Sequence, residues 1–201
     1  MVDPVPDYRN RFAYWTGRVF HPYLICIPTL AVVLSGLPFR QAFGWVVLIV
    51  AVLVTPLLVV GVLLRLQDRF LYQRTARTPI YLTFWVSLIV CLALLMALEA
   101  PNKLVACIVA LLIWLPLQLV INTYVTKVST HAAVVTGCVT GLFLLGELNS
   151  LLLVAAALTV VVLTLWARVV TRHHTRQQVA LGILTGAIPV LIVFPLLLNG
   201  L

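Results

Sequence analysis

Carboxylates are scarce in this chain: Asp3, Asp7, Asp68, Glu99 and Glu147 are the only five among 201 residues. They form no acidic cluster of the kind that holds magnesium on a diphosphate in prenyl or alcohol transferases, so metal-dependent phosphoryl chemistry is not expected. Charge of either sign is also short, at 9% of residues. An ordinary soluble domain carries roughly a quarter, so this chain cannot cover a water-facing surface. Paired cysteines are absent too. Cys26, Cys91, Cys107 and Cys138 stand singly inside apolar runs, which excludes a zinc ligand set and a disulfide framework and leaves small buried hydrophobes. No long internal repeat or low-complexity linker interrupts the chain.

What is abundant is apolar surface, at 63% of residues with a mean hydropathy of +1.16. Lipid must cover it. The apolar runs are long and unbroken, without the alternation of a barrel strand, so helices are the expected spanning form. At about 20 residues per crossing, runs at 22–38, 42–64, 80–98, 104–121, 131–148, 151–167 and 179–199 predict an all-α, polytopic integral membrane helix bundle. Six or seven transmembrane helices fit, the first being short and proline-rich, in a single domain over residues 1–201. Residues 1–20 mix Arg9, Arg11 and Arg18 with Tyr8, Phe12, Tyr14, Trp15 and Phe20. They read as an interfacial arm or short helix at headgroup level rather than a cleavable signal.

The connectors alternate in character. Those after the first, third and fifth runs are tiny, whereas those after the second, fourth and sixth carry nearly all the polar chemistry. With alternating crossings, eleven of the thirteen Lys and Arg residues fall on one face with the N-terminus, against Arg40 and Lys103 opposite. The positive-inside rule places the crowded face in the cytoplasm, even when Arg69, Arg77, Lys127 and Arg168 are set aside as candidate anion ligands. The basic excess suits an anionic lipid or topology; nucleic acid is not an expected partner. Two glycine pairs at helical spacing, Gly137 with Gly141 and Gly182 with Gly186, allow close helix contact, within one chain or in a homodimer.

Two segments concentrate reactive groups. Ala167 to Gln178 carries Arg168, Arg172, Arg176, His173 and His174 at a membrane boundary, where such groups need water, an anion or one another. A topology anchor accounts for the arginines but not for adjacent histidines. Lys127-Val128-Ser129-Thr130-His131 opens the fifth run, with Ser129 and Thr130 as candidate caps whose helix amides suit a phosphate.

Together these segments resemble the type 2 phosphatidic acid phosphatase superfamily. Its last motif, Ser-Arg, five residues, His, three residues, Asp, is similar to Ala167-Arg168, five residues, His174, three residues, Gln178. Its middle motif, Pro-Ser-Gly-His, is similar to Val128-Ser129-Thr130-His131. Its first, Lys, six residues, Arg-Pro, is matched loosely by Arg77-Thr78-Pro79 with Phe70 and Arg69 upstream. The resemblance implies metal-independent hydrolysis of a lipid or prenyl phosphate through a phosphohistidine, with no cofactor. It implies His174 as nucleophile, His131 as the acid for the leaving alkoxide, and Arg168 with Arg77 or Arg69 and Lys127 on the phosphoryl oxygens. Ser129 and Thr130 would add donors. Gln178 stands where the family's Asp orients the nucleophile; its oxygen can hold the tautomer without the charge, or Asp68 can replace the carboxylate. His173 and His21 take no assigned role, His173 being a competitor to His174. The alternative is a non-catalytic membrane protein that binds or moves an anionic lipid. A haem or quinone bundle is disfavoured because the histidines stand at span ends.

Overall fold

The computed structural model describes residues 8–66 and 74–198. Among them it is all helical: α1 (Tyr8–Val19), α2 (Pro22–Val33), α3 (Phe39–Ile49), α4 (Thr55–Leu66), α5 (Arg74–Ala97), α6 (Asn102–Tyr124), α7 (Thr130–Leu144), α8 (Leu151–Val170) and α9 (Arg176–Leu198). A π-helical turn, Val50–Val54, joins α3 to α4. Its cause is Pro56, which has no N–H for the Val52 carbonyl and whose ring crowds it. The preceding turn widens, and Thr55 donates its amide to the Val50 carbonyl five residues back. The span stays continuous from Phe39 to Leu64.

Five helices are long and apolar enough to cross a membrane: the α3–α4 span, α5 from Pro79, α6, α8 and α9. The chain is thus built as a multi-pass helical bundle. The two remaining expected runs differ from the sequence reading. The run at 22–38 is not one helix: α2 stops at Val33, and α3 starts at Phe39 behind Pro38. At 12 residues α2 is too short to cross alone, but it continues α1 through a 41° bend, and the pair has the length of one broken span. The run at 131–148 is the 15-residue α7, ended where Gly146 turns the chain at φ +72°. At their polar ends α5, α6, α8 and α9 run past the apolar stretches; in α5, α8 and α9 the residues there include Arg74, Arg168 and Arg176, which continue a helix about as readily as leucine does.

Helices α6 and α9 are the most enclosed, and α7 lies against both α9 and α2. Ala106 and Ala110 of α6 pack on Val190, Val193 and Phe194 of α9. A second cluster joins α5 and α6 through Leu88, Cys91, Leu95, Leu104, Ile108 and Leu115, capped by Leu53 from the π turn. The N-terminal arm contains the short helix α1. It is helical from Tyr8 and docks on α8, with the rings of Phe12 and Trp166 5.8 Å apart. Both glycine pairs serve packing within the chain. A Cβ on Gly182 would stand 2.6 Å from the Ser129 carbonyl, and one on Gly186 would overlap the Ala133 carbonyl. At the far end of the bundle Lys103 Nζ meets Glu147 Oε1 at 2.9 Å, joining the start of α6 to the α7–α8 connector.

Candidate active site

The α6–α7 connector is shaped by Asn122. Its Oδ1 accepts the Val128 amide at 2.7 Å while its Nδ2 donates to the Tyr81 hydroxyl at 3.2 Å. Ser129 then caps α7, its backbone extended and its Oγ accepting from the Ala132 amide. Its own amide donates to the Gln178 carbonyl at 3.2 Å, which ties the start of α7 to α9. Ser129 is fully buried by this arrangement. Thr130 turns inward as well, its Oγ1 accepting from the buried Gln118 Nε2 at 2.7 Å. The donors left at the start of α7 are therefore the amides of Thr130 and His131, which find no acceptor among the described residues. The Ser129 and Thr130 hydroxyls, expected at a phosphate, are engaged in packing the helix start.

At the end of α8, Arg172 adopts a left-handed backbone, φ +54°. This reverses the chain so that the His174 amide donates to the Arg168 carbonyl at 3.2 Å. The Gln178 Oε1 lies 3.3 Å from His174 Nδ1 and accepts the Thr175 amide at 3.2 Å. A backbone N–H is always a donor, so that amide identifies Oε1 as the carboxamide oxygen. Nδ1 must then carry its proton, and Nε2 presents a lone pair. Gln178 is itself held through Nε2, which donates to the Thr126 hydroxyl at 3.1 Å. Burial first, then the nearby Lys127 charge and that of Arg168, hold the His174 pKa down to about 4, against the hydrogen bonds that the charged ring would make to Gln178 and the Lys127 carbonyl. His173 is exposed, bonded through Nδ1 to the Thr171 hydroxyl, and lowered by partial burial, Arg168 and Lys127.

Arg168 bridges the two segments. Its Nη1 is 3.2 Å from His131 Nε2. A guanidinium only donates, so this Nε2 accepts and the resting His131 is neutral, with its proton on Nδ1. The Arg168 Nε is buried without a hydrogen-bond partner among the described residues. The two described carboxylates, Glu99 and Glu147, belong to the short connectors at the opposite end of the bundle, where Glu147 pairs with Lys103. Lys127 is exposed beside the site. Asp68 and Arg69 lie outside the described residues, as does the Arg77 side chain.

Two contributors are not among the sequence candidates. His21, between α1 and α2, sets its ring edge-to-face on His131, with centroids 5.1 Å apart and planes at 84°. Gly17 of α1 faces Arg168, and a Cβ there would stand 2.8 Å from Nη2. No motif announces either; the only sequence signal is a histidine and a glycine inside an otherwise bulky aromatic arm. Among the described residues, no group of three or more His, Cys, Asp or Glu side chains is placed to hold a metal ion. Compared with known proteins, the chain matches no family model, no curated protein and no solved structure.

Proposed function

We propose that the protein is an integral membrane lipid phosphatase, a divergent relative of the type 2 phosphatidic acid phosphatase superfamily. It hydrolyses a lipid or prenyl phosphate or diphosphate without a metal, through a phosphohistidine. The observation that carries this reading is Arg168: a guanidinium with a buried unpartnered Nε, no carboxylate partner among the described residues, the His131 imidazole on its Nη1, and the His174 backbone amide on its main-chain carbonyl. Such a group at a lipid boundary calls for an anion.

In the proposed reaction the phosphoryl oxygens draw the Arg168 guanidinium off His131, with Lys127 and the Thr130 and His131 amides adding donors. Release of Nε2 lets His131 take up a proton beside the bound phosphate. His174 Nε2 attacks phosphorus in line as the P–O bond to the lipid breaks, and His131 protonates the departing alkoxide. Water, deprotonated by His131, then cleaves the P–N bond to give phosphate and free His174. Gln178 keeps the attacking tautomer without adding charge. The excess of basic residues on the site face supports a cytoplasmic orientation, and the bilayer delivers the substrate to a monomer or homodimer. In the alternative reading, favoured by the absence of a carboxylate at position 178, the same pocket binds an anionic lipid without turning it over.

The test is phosphate release from a dispersed lipid phosphate by the purified chain. Release that persists in chelator and stops with vanadate is the expected result; loss of release in chelator removes the metal-free mechanism, and saturable binding without release favours the alternative. A second test uses pH. His174 is the reactive base only when neutral, so with its pKa held near 4 the acid limb of kcat/KM should lie well below the ordinary histidine value of 6.5. Gln178→Glu places a carboxylate against Nδ1, which stabilises the imidazolium and raises that pKa. The acid limb should move up by about one pH unit and kcat at neutral pH should rise about tenfold, through a more basic nucleophile. An acid limb that stays in place shows that residue 178 does not act on the nucleophile.

A further inference from the structure

The bend between α1 and α2 has no place in the reaction described above, yet it straddles the two helices that carry it. On one side α1 docks along α8, with Phe12 on Trp166 and Gly17 against the Arg168 guanidinium. On the other, α2 packs on α7, whose first turn carries His131. Between them the chain has only Phe20 and His21 in which to turn. The Phe20 amide closes α1 on the Thr16 carbonyl, and the His21 carbonyl opens α2 by accepting the Leu24 and Ile25 amides at 2.8 and 3.1 Å. The backbone of His21 is thus fixed at both ends, with φ −67° and ψ 141°. Its ring is fixed as well, lying between Tyr23 at 5.0 Å and His131 at 5.1 Å.

Packing alone leaves the choice of contact unexplained, since the ring that His21 meets edge-to-face is a reactive one. Among the described residues, His131 is otherwise oriented by a single side-chain bond, from Arg168. In the proposed reaction that bond is broken when phosphate takes the guanidinium. At that moment the ring would be free to turn about its side-chain torsions, just when its proton must point at the leaving oxygen. A contact that does not depend on Arg168 is what the ring then needs.

We propose that His21 is a positioning residue that holds the His131 imidazole in line with the leaving-group oxygen after Arg168 has moved to the phosphate. The proposal rests on the phosphatase reading. His21 does not touch the phosphorus or the nucleophile; it acts through His131.

The discriminating measurement compares an alkyl lipid phosphate, whose alkoxide must be protonated, with 4-nitrophenyl phosphate, whose phenolate leaves without help. His21→Ala should lower the ratio of alkyl to aryl kcat about tenfold, part of the 10²–10⁴ that general acid catalysis supplies, with KM for both substrates held within about twofold. His21→Phe, which keeps an aromatic edge, should restore most of the ratio. In a His131→Ala background, His21→Ala should change the alkyl rate no further, because the two residues act as a unit. Equal losses on both substrates would show a general folding or phosphate-binding effect and overturn the proposal. So would additive losses in the double variant, or a His21→Phe chain no better than His21→Ala. A wild-type chain inactive on both substrates removes the phosphatase reading together with this one, whereas an active wild type with an unaltered His21→Ala ratio removes this one alone.

Discussion

His174→Ala is expected to reduce lipid phosphate hydrolysis about ten-thousandfold or more, the scale of losing a covalent nucleophile. The residue combines three features that no neighbour shares. Its amide is bonded to the Arg168 carbonyl, which ties the two residues together through their backbones. Its Nδ1 proton is held by Gln178, which leaves Nε2 unprotonated. Its pKa, pushed down to about 4, keeps it neutral at physiological pH. The adjacent His173 has its Nδ1 on Thr171 and is exposed, so His173→Ala should cost little. Brief exposure of the wild type to ³²P-labelled substrate, followed by denaturation in alkali, should leave an alkali-stable, acid-labile label on the chain that His174→Ala lacks. Normal turnover by His174→Ala, or label retained in it, would end the assignment of the nucleophile.

Much of the fold was legible because lipid imposes a simple rule. Long apolar runs must be helices, and five of the seven expected runs are long spanning helices. The Arg168-to-His174 spacing was legible as a motif, but what brings the two backbones together is the left-handed turn at Arg172, φ +54°. Apart from the shortened run at 131–148, the misreadings came from the N-terminal half. A proline-rich run at 22–38 looks like one short span by hydropathy, but Pro38 starts a new helix and α2 ends at Val33, so α2 reaches the length of one broken span only together with α1. That pairing carries Gly17 and His21 into the site. Nothing in a single sequence reports that an aromatic arm will pack on a helix about 150 residues away. Likewise the capping pattern at Ser129 and Thr130 was readable, but not the inward turn of both hydroxyls, which depends on Gln118 and Gln178 from two other helices.

The glycines of α9 connect stability to chemistry, and Gly186→Ala is expected to be the most destabilising single-methyl change in the bundle. The added Cβ would overlap the Ala133 carbonyl, carbon and Cα, which are backbone atoms of α7 with no rotamer to yield. Only separation of α7 from α9 relieves the clash. Overpacking of a rigid contact costs about 1–3 kcal/mol and occasionally more; a collision with backbone belongs at the upper end. Gly61 in α4 has nothing within 4 Å of its Cβ position, so Gly61→Ala should stabilise slightly, by about 0.5–1 kcal/mol from helix preference alone. Thermal unfolding of the two variants in the same detergent measures the contrast, and equal midpoints would refute the packing assigned to α7 and α9. The consequence reaches the site because Gly182, one turn before Gly186, faces the Ser129 carbonyl at the start of α7. Moving the helices apart stretches the bond from the Ser129 amide to the Gln178 carbonyl and carries His131 away from His174. Gly186→Ala should therefore lose turnover at temperatures where it is still folded, while Gly61→Ala keeps it.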